Sequence, residues 1–230
     1  MTQPPRPRVW ITRAEPGATR TAERVASLGL EPVKAPVLRI EPVEAQLDLN
    51  GVAGLAFTSA NGVRAFAGRS AMRDRPVFAV GDRTAQVARS AGFTDVRSAS
   101  GALADLAALI PAEAPGPILH PCAREPAGDL AALLGDGRVR SVAVYRAVET
   151  GATAPQDIDA VLIHSPRAAR VVASRGAPSL ADPVRIIAIS PAAAPPLIER
   201  GLAVVIAASP DEDALLAALT AALGKPRRPV

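Results

Sequence analysis

The chain is expected to fold as an α/β protein with two parallel-sheet domains, and three observations predict it. Apolar runs alternate with stretches of helical periodicity along the whole length, the β, α, β, α order that calls for parallel sheets covered by helices. Several runs stop at hydroxyl residues that open the next helix, as in Leu55-Ala56-Phe57-Thr58-Ser59-Ala60-Asn61-Gly62-Val63-Arg64-Ala65-Phe66. The sequence then repeats itself. That stretch is matched in the second half by Val161-Leu162-Ile163-His164-Ser165-Pro166-Arg167-Ala168-Ala169-Arg170-Val171-Val172. Residues 77–85 align without gaps on 186–194, Gly92 falls on Gly201, and Leu106 on Leu215. At the same offset Val9 to Arg13 falls on Ile118 to Cys122, and the segment around Pro36 on that around Tyr145. The period is far too long for a solenoid. With 230 residues the duplication implies two domains of roughly 110 residues, close to the usual domain size.

In chain order, Val9-Trp10-Ile11 is a strand ending at Thr12-Arg13, and the next helix presents Ala22, Val25, Ala26 and Leu28 before stopping at Gly29. A second strand starts over residues 30–34. Residues 35–42 are extended but bracketed by Pro36 and Pro42, which suits a sheet edge or a crossing between domains. Leu55 to Phe57 is a buried strand turning directly into a helix with Ser59 as N-cap. A strand over 77–80, a helix over 84–91, a short strand near Val96 and a helix over 103–110 complete the first copy. The second copy has a strand over 118–120, a helix over 128–134 and a long strand over 139–148 that carries Tyr145. Strands over 160–163, 186–189 and 202–207 then alternate with helices over 167–173, 195–200 and 211–223. Asp211 and Glu212 sit favourably in the first turn of the last helix.

Composition narrows the function. Aromatic residues are scarce, so the cores are aliphatic. No stretch resembles a transmembrane span, and the proline-rich start leads into a strand without an apolar leader. The single cysteine, Cys122, forms no internal disulfide, which suits a reducing cytoplasm. The net charge of +4 admits an acidic partner, but part of it lies in Lys225-Pro226-Arg227-Arg228-Pro229, expected to be a solvated tail. Scattered arginines without interleaved aromatics argue against nucleic acid. No long apolar edge demands a partner chain, so a monomer is expected.

The survey of motifs is mostly negative. Walker, Gly-x-Gly-x-x-Gly, His-Glu-x-x-His, Cys-x-x-Cys and Gly-x-Ser-x-Gly patterns are missing, and there are two histidines. Metal, nucleotide and acyl-transfer readings lose most of their support. What remains is a set of polar strand ends: Thr12 and Arg13, Thr58, Ser59 and Asn61, Gly81 with Thr84, Ser165 and Ser190. In a parallel sheet the carboxyl ends of the strands share one rim, where ligands bind. Helix N-termini on that rim attract carboxylates and phosphates. Each hydroxyl is equally well explained as a cap alone, and the two roles are compatible. Gly81 serves either a tight turn or a close ligand approach. His120, His164 and Cys122 read as structural.

The order Thr12-Arg13, Pro36, Phe57-Thr58-Ser59-Ala60-Asn61-Gly62-Val63, Val80-Gly81-x-x-Thr84-Ala85, Val144-Tyr145-Arg146, Ser165-Pro166 and Ile189-Ser190-Pro191 resembles the uroporphyrinogen-III synthase family over nearly the whole chain. The resemblance implies two flavodoxin-like domains joined by a two-stranded connector, with strands near 35–41 and 143–149. One domain would combine residues 1–37 with 149–230, the other would span 38–148. The duplication alone suggests a front-to-back split instead. The family cyclises hydroxymethylbilane, a linear tetrapyrrole with eight carboxylates, inverting its last ring and losing water, in haem biosynthesis. It uses no cofactor or metal.

On that pattern Thr12, Arg13, Thr58, Ser59, Ala60, Asn61, Gly81, Thr84, Ser165 and Ser190 would bind substrate. Tyr145, the one tyrosine, would give a proton to the departing hydroxyl. Direct transfer of substrate from the hydroxymethylbilane-forming enzyme is a further expectation. Ala192-Ala193-Ala194 stands where the first copy has Arg83-Thr84-Ala85, and the family often carries a threonine there. The competing readings are a non-catalytic two-domain binding or regulatory protein and, more remotely, a nucleic-acid binder.

Overall fold

The computed structural model describes residues 5–114, 116–135, 137–175, 180 and 184–224. The basic tail at 225–229 lies outside the described residues. By its internal contacts the chain divides into one unit of Met1–Arg39 with Val148–Val230 and another of Ile40–Ala147. The division is therefore not front to back.

The first unit holds a five-stranded sheet. Its strands are β1 (Arg8–Ile11), β2 (Glu31–Lys34), β9 (Ala160–Ile163), β10 (Arg185–Ala188) and β11 (Val204–Ile206), ordered β11-β10-β9-β1-β2. The pairs β1 with β2, β1 with β9, β9 with β10, and β10 with β11 are all parallel. Counted along the unit, the first strand lies second, the doubly wound order of flavodoxin-like sheets.

Side chains on a strand alternate between faces, so β1 feeds two cores. Val9 and Ile11 pack with Ala18, Ala22 and Val25 of α1 (Gly17–Ser27) and Leu215, Leu216 and Leu219 of α8 (Glu212–Gly224). Trp10 packs on the other side with Ala168, Ala169 and Val172 of α6 (Pro166–Arg175) and Leu197 of α7 (Pro195–Ile198), and its indole N–H donates to the Ala35 carbonyl at 2.8 Å.

The second unit holds a six-stranded sheet, ordered β3-β8-β7-β4-β5-β6. The strands are β3 (Leu38–Pro42), β4 (Gly54–Phe57), β5 (Val77–Ala79), β6 (Val96–Ser98), β7 (Ile118–Ala123) and β8 (Val139–Glu149). Taken from β7, the run β8-β7-β4-β5-β6 repeats the order of the first unit. Each sheet thus joins the opening strand pair of one sequence copy to the three closing strands of the other. The chain passes between the units at residues 39–40, within β3, and 147–148, within β8.

Again two cores form. Leu55, Phe57, Val77 and Leu119 pack with Val63 and Phe66 of α2 (Ala60–Ala67) and Ala88 of α3 (Asp82–Ser90). Ala56, Phe78 and Ile118 pack with Leu106 and Ile110 of α4 (Leu103–Glu113) and Leu130 of α5 (Leu130–Leu134).

Two elements differ from expectation. The helix after Gly128 is shorter, starting after an Asp129 cap whose carboxylate accepts from the Ala132 amide at 3.1 Å. The helix after Ser190 is a 3₁₀ turn, Pro191–Ala193, and then only the four residues of α7. Prolines at 191, 195 and 196 remove the amide donors that a longer helix would need. Among the described residues no helix is long and apolar enough to cross a membrane.

Candidate functional site

In the second unit, β4 ends in Phe57 and the chain turns through Thr58 and Ser59 into α2. Ser59 is extended, with φ −157° and ψ 151°, and its hydroxyl oxygen accepts from the Gly62 amide at 3.1 Å. That is the expected N-cap. The same oxygen lies 2.8 Å from the phenol oxygen of Tyr145 on β8. A serine hydroxyl offers two acceptor sites and one proton, so cap and phenol contact coexist. Tyr145 is 8% exposed. Burial raises its pKa above the ordinary phenol value, the Ser59 hydrogen bond pulls the other way, and nearby Cys122 adds to the rise. The phenol therefore holds its proton at neutral pH.

Beside this pair lies a second chain of polar groups. The Thr58 hydroxyl is 3.0 Å from Nε2 of His120 on β7, and Nδ1 of His120 is 3.1 Å from the Ser141 hydroxyl on β8. His120 is 1% exposed. Burial lowers its pKa to about 4 against the opposing charge of Asp129, so the ring is neutral near pH 7.

Around the rim, the Asn61 side-chain oxygen accepts from Arg64 at 3.1 Å, one turn along α2, and Ala60 and Asn61 are half-buried. Gly62 is required by packing, since a Cβ there would sit 2.6 Å from the Pro121 carbonyl oxygen. Gly81, the N-cap of α3, is different. Its φ of −161° and ψ of 169° are open to any residue, so a tight turn does not explain it. A Cβ at Gly81 would approach only the Gly101 carbonyl, at 3.9 Å. Thr84 is buried on α3.

The rim of the first unit is built differently. Thr12 is fully buried and its hydroxyl donates to the Leu162 carbonyl at 2.6 Å. It ties β1 to β9. Arg13 pairs with Glu212 at 2.7 Å and reaches Thr21 at 3.3 Å, while Thr21 donates to Glu212 at 2.6 Å.

His164 lies against the same carboxylate, Nε2 to Oε2 3.4 Å. Burial lowers the His164 pKa, while the adjoining Glu212 carboxylate pulls it back up. Burial also works against the Glu212 carboxylate, but His164, Thr21 and Arg13 outweigh it and hold Glu212 below the ordinary carboxyl range. Ser165 caps α6, accepting from the Ala168 amide at 3.1 Å. Ser190 makes no side-chain cap bond, and the short turn after it offers no long helix end.

The structure thus adds His120, Ser141, Thr21 and Glu212 to the polar ends named from sequence. Glu212 was marked by its place in a first helix turn, and His120 by its place at the end of an apolar run. Among the described residues no group of three or more His, Cys, Asp or Glu side chains is arranged to hold a metal ion.

Comparison with known proteins fits this architecture. The family model described as uroporphyrinogen-III synthase HemD matches residues 19–217. The crystal structure of uroporphyrinogen-III synthetase from Helicobacter pylori aligns with a TM-score of 0.69 at 19% identity, covering 95% of this chain and 99% of that one. A mutant uroporphyrinogen III synthase from Thermus thermophilus aligns with a TM-score of 0.56 at 17% identity, covering 94% of this chain and 98% of that one. At these identities the likeness speaks for the fold. No curated protein matches the chain. Because the family model spans most of its length, the chain belongs to the uroporphyrinogen-III synthase family.

Proposed function

We propose that this chain cyclises hydroxymethylbilane to uroporphyrinogen III, inverting the last pyrrole ring and releasing water. The observation that carries the reading is the Ser59–Tyr145 hydroxyl pair at the N-terminus of α2, 2.8 Å apart with the phenol held protonated. Family membership supplies the substrate, a linear tetrapyrrole whose carboxylates are ionised at neutral pH.

Loss of the terminal hydroxyl needs a proton, and Tyr145 gives one. The resulting azafulvene closes by itself to the uninverted isomer in water. The protein's task is accordingly positional: attack at the substituted carbon, through a spiro intermediate, must outrun direct closure. The N-terminus of α2, with its partial positive charge, suits a substrate carboxylate close to Tyr145. The bare backbone at Gly81 leaves room for a close approach at the N-terminus of α3. Ser165 offers a capped helix end of the same kind in the first unit. Arg13 is engaged with Glu212, so backbone amides carry more of the binding than this arginine.

The reading extends to a cytoplasmic monomer that takes its short-lived substrate from the enzyme that makes it. The test is to incubate purified protein with hydroxymethylbilane generated in situ and resolve the product isomers. Predominance of isomer III supports the reading. A ratio equal to that formed without protein refutes it.

A further inference from the structure

The His120 ring is buried, with the residue 1% exposed. An imidazole removed from water is tolerated when both nitrogens are paired, and here Thr58 and Ser141 pair them. The residues come from three adjacent strands: Thr58 follows β4, His120 is in β7, and Ser141 is its register partner in β8. Ser141 is exposed, while Thr58 is half-buried beside the Ser59 cap.

A neutral imidazole has one donor nitrogen and one acceptor nitrogen, so its tautomer links the two hydroxyls. If Ser141 donates to Nδ1, then Nε2–H donates to the Thr58 oxygen and the Thr58 hydrogen is free to face the rim. In the other tautomer Thr58 donates inward and presents only lone pairs. Carboxylates call for the first arrangement, because a hydroxyl hydrogen aimed at an anion makes a charge-assisted bond. A Ser141 hydroxyl that donates to Nδ1 favours this tautomer.

We propose that His120 is a positioning residue: Ser141 selects its Nε2–H tautomer, and the ring thereby aims the Thr58 hydroxyl as a donor toward the substrate. The inference rests on the reading of the chain as a tetrapyrrole cyclase. The neutral state of the ring near pH 7 agrees with it.

The experiment has two arms. In the first, the imidazole nitrogens of the parent protein are read by ¹⁵N NMR at neutral pH, with His120→Asn assigning the signals. A single Nε2–H tautomer is expected; the Nδ1–H form, or a mixture, overturns the proposal. This arm does not depend on activity, so it stands apart from the isomer assay, whose failure would sink the reading of function instead.

In the second arm, Ser141→Ala and Thr58→Val are measured singly and together. Ser141→Ala is expected to raise KM about five- to tenfold with kcat nearly unchanged, as one misdirected hydrogen bond to a charged group would. In the Thr58→Val background it should add nothing. Parent-like KM in Ser141→Ala, or an equal effect of Ser141→Ala without Thr58, overturns it. Because Ser141 is exposed, its variant should melt with the parent, which separates positioning from folding.

Discussion

The N-termini of α2 and α6 come from the same repeated stretch of sequence, yet their surroundings do opposite things. Both keep the capping serine, with Ser59 accepting from Gly62 and Ser165 from Ala168, each at 3.1 Å. At α2 the cap also meets a buried phenol, and the neighbouring histidine has both nitrogens engaged by hydroxyls. In the first unit the equivalent of the Tyr145 segment carries Pro36, which has no proton to give. Its rim is instead locked by charge, Arg13 and Thr21 on Glu212, with its histidine against the same carboxylate. Duplication preserved the backbone device that ends a strand and starts a helix. The side chains around it diverged into one protonated, hydroxyl-rich end and one self-paired end.

That contrast can be broken in several ways. The largest expected effect is on stability against pH. The folded pKa of His120, about 4, lies below the ordinary histidine value. Its contribution is therefore fully present above about pH 6.5 and lost as pH falls through about 4, up to about 3 kcal/mol. His164, also lowered by burial, acts in the same direction. Denaturant unfolding from pH 7 to 4 should show this loss, and His120→Asn should flatten the curve. A parent curve flat over that range would contradict the burial of these rings.

Next in size, Tyr145→Phe should lower kcat about a hundredfold, the loss of one general acid, with melting little changed. Full activity in purified protein would remove Tyr145 from the chemistry. Glu212→Gln should act in the other sense, costing about 2 kcal/mol of stability by removing the carboxylate charge that Arg13 and Thr21 hydrogen-bond, while isomer selectivity stays near the parent's. A change in selectivity without loss of stability would give the first unit's rim a more direct role. The smallest effects concern the caps. Ser165→Ala should cost about 1 kcal/mol, and Ser190→Ala only a few tenths, because Ser190 makes no cap bond. Equal losses in a melting comparison would show that Ser190 is also a cap.

Much of this architecture is legible in the sequence because it is locally encoded. Leu55-Ala56-Phe57 and Val161-Leu162-Ile163 are too apolar for anything but strands buried on both faces, and the hydroxyl after each marks the helix start. The start of α1 is harder to see, since Gly17 to Thr21 are small or polar and show no apolar stripe. Strand order has no local signature. Parallel neighbours such as β1 and β9 are brought together only by the assembled sheet.

The site divides along the same line. The caps at Ser59 and Ser165 follow from adjacent residues, whereas the contact between Ser59 and Tyr145 spans 86 positions and that between Arg13 and Glu212 spans 199. Thr12 shows the converse. A hydroxyl at a strand end looks available in sequence, but a neighbouring carbonyl claims it once β9 lies alongside.

The most direct measurement of the central claim, that the protonated end of α2 directs ring closure, is the isomer ratio formed from hydroxymethylbilane by the parent protein and by Ser59→Ala. The account predicts isomer III in excess from the parent and a clear shift toward isomer I when the Ser59 hydroxyl is removed. The spontaneous ratio from the parent, or an unchanged ratio from Ser59→Ala, would contradict it.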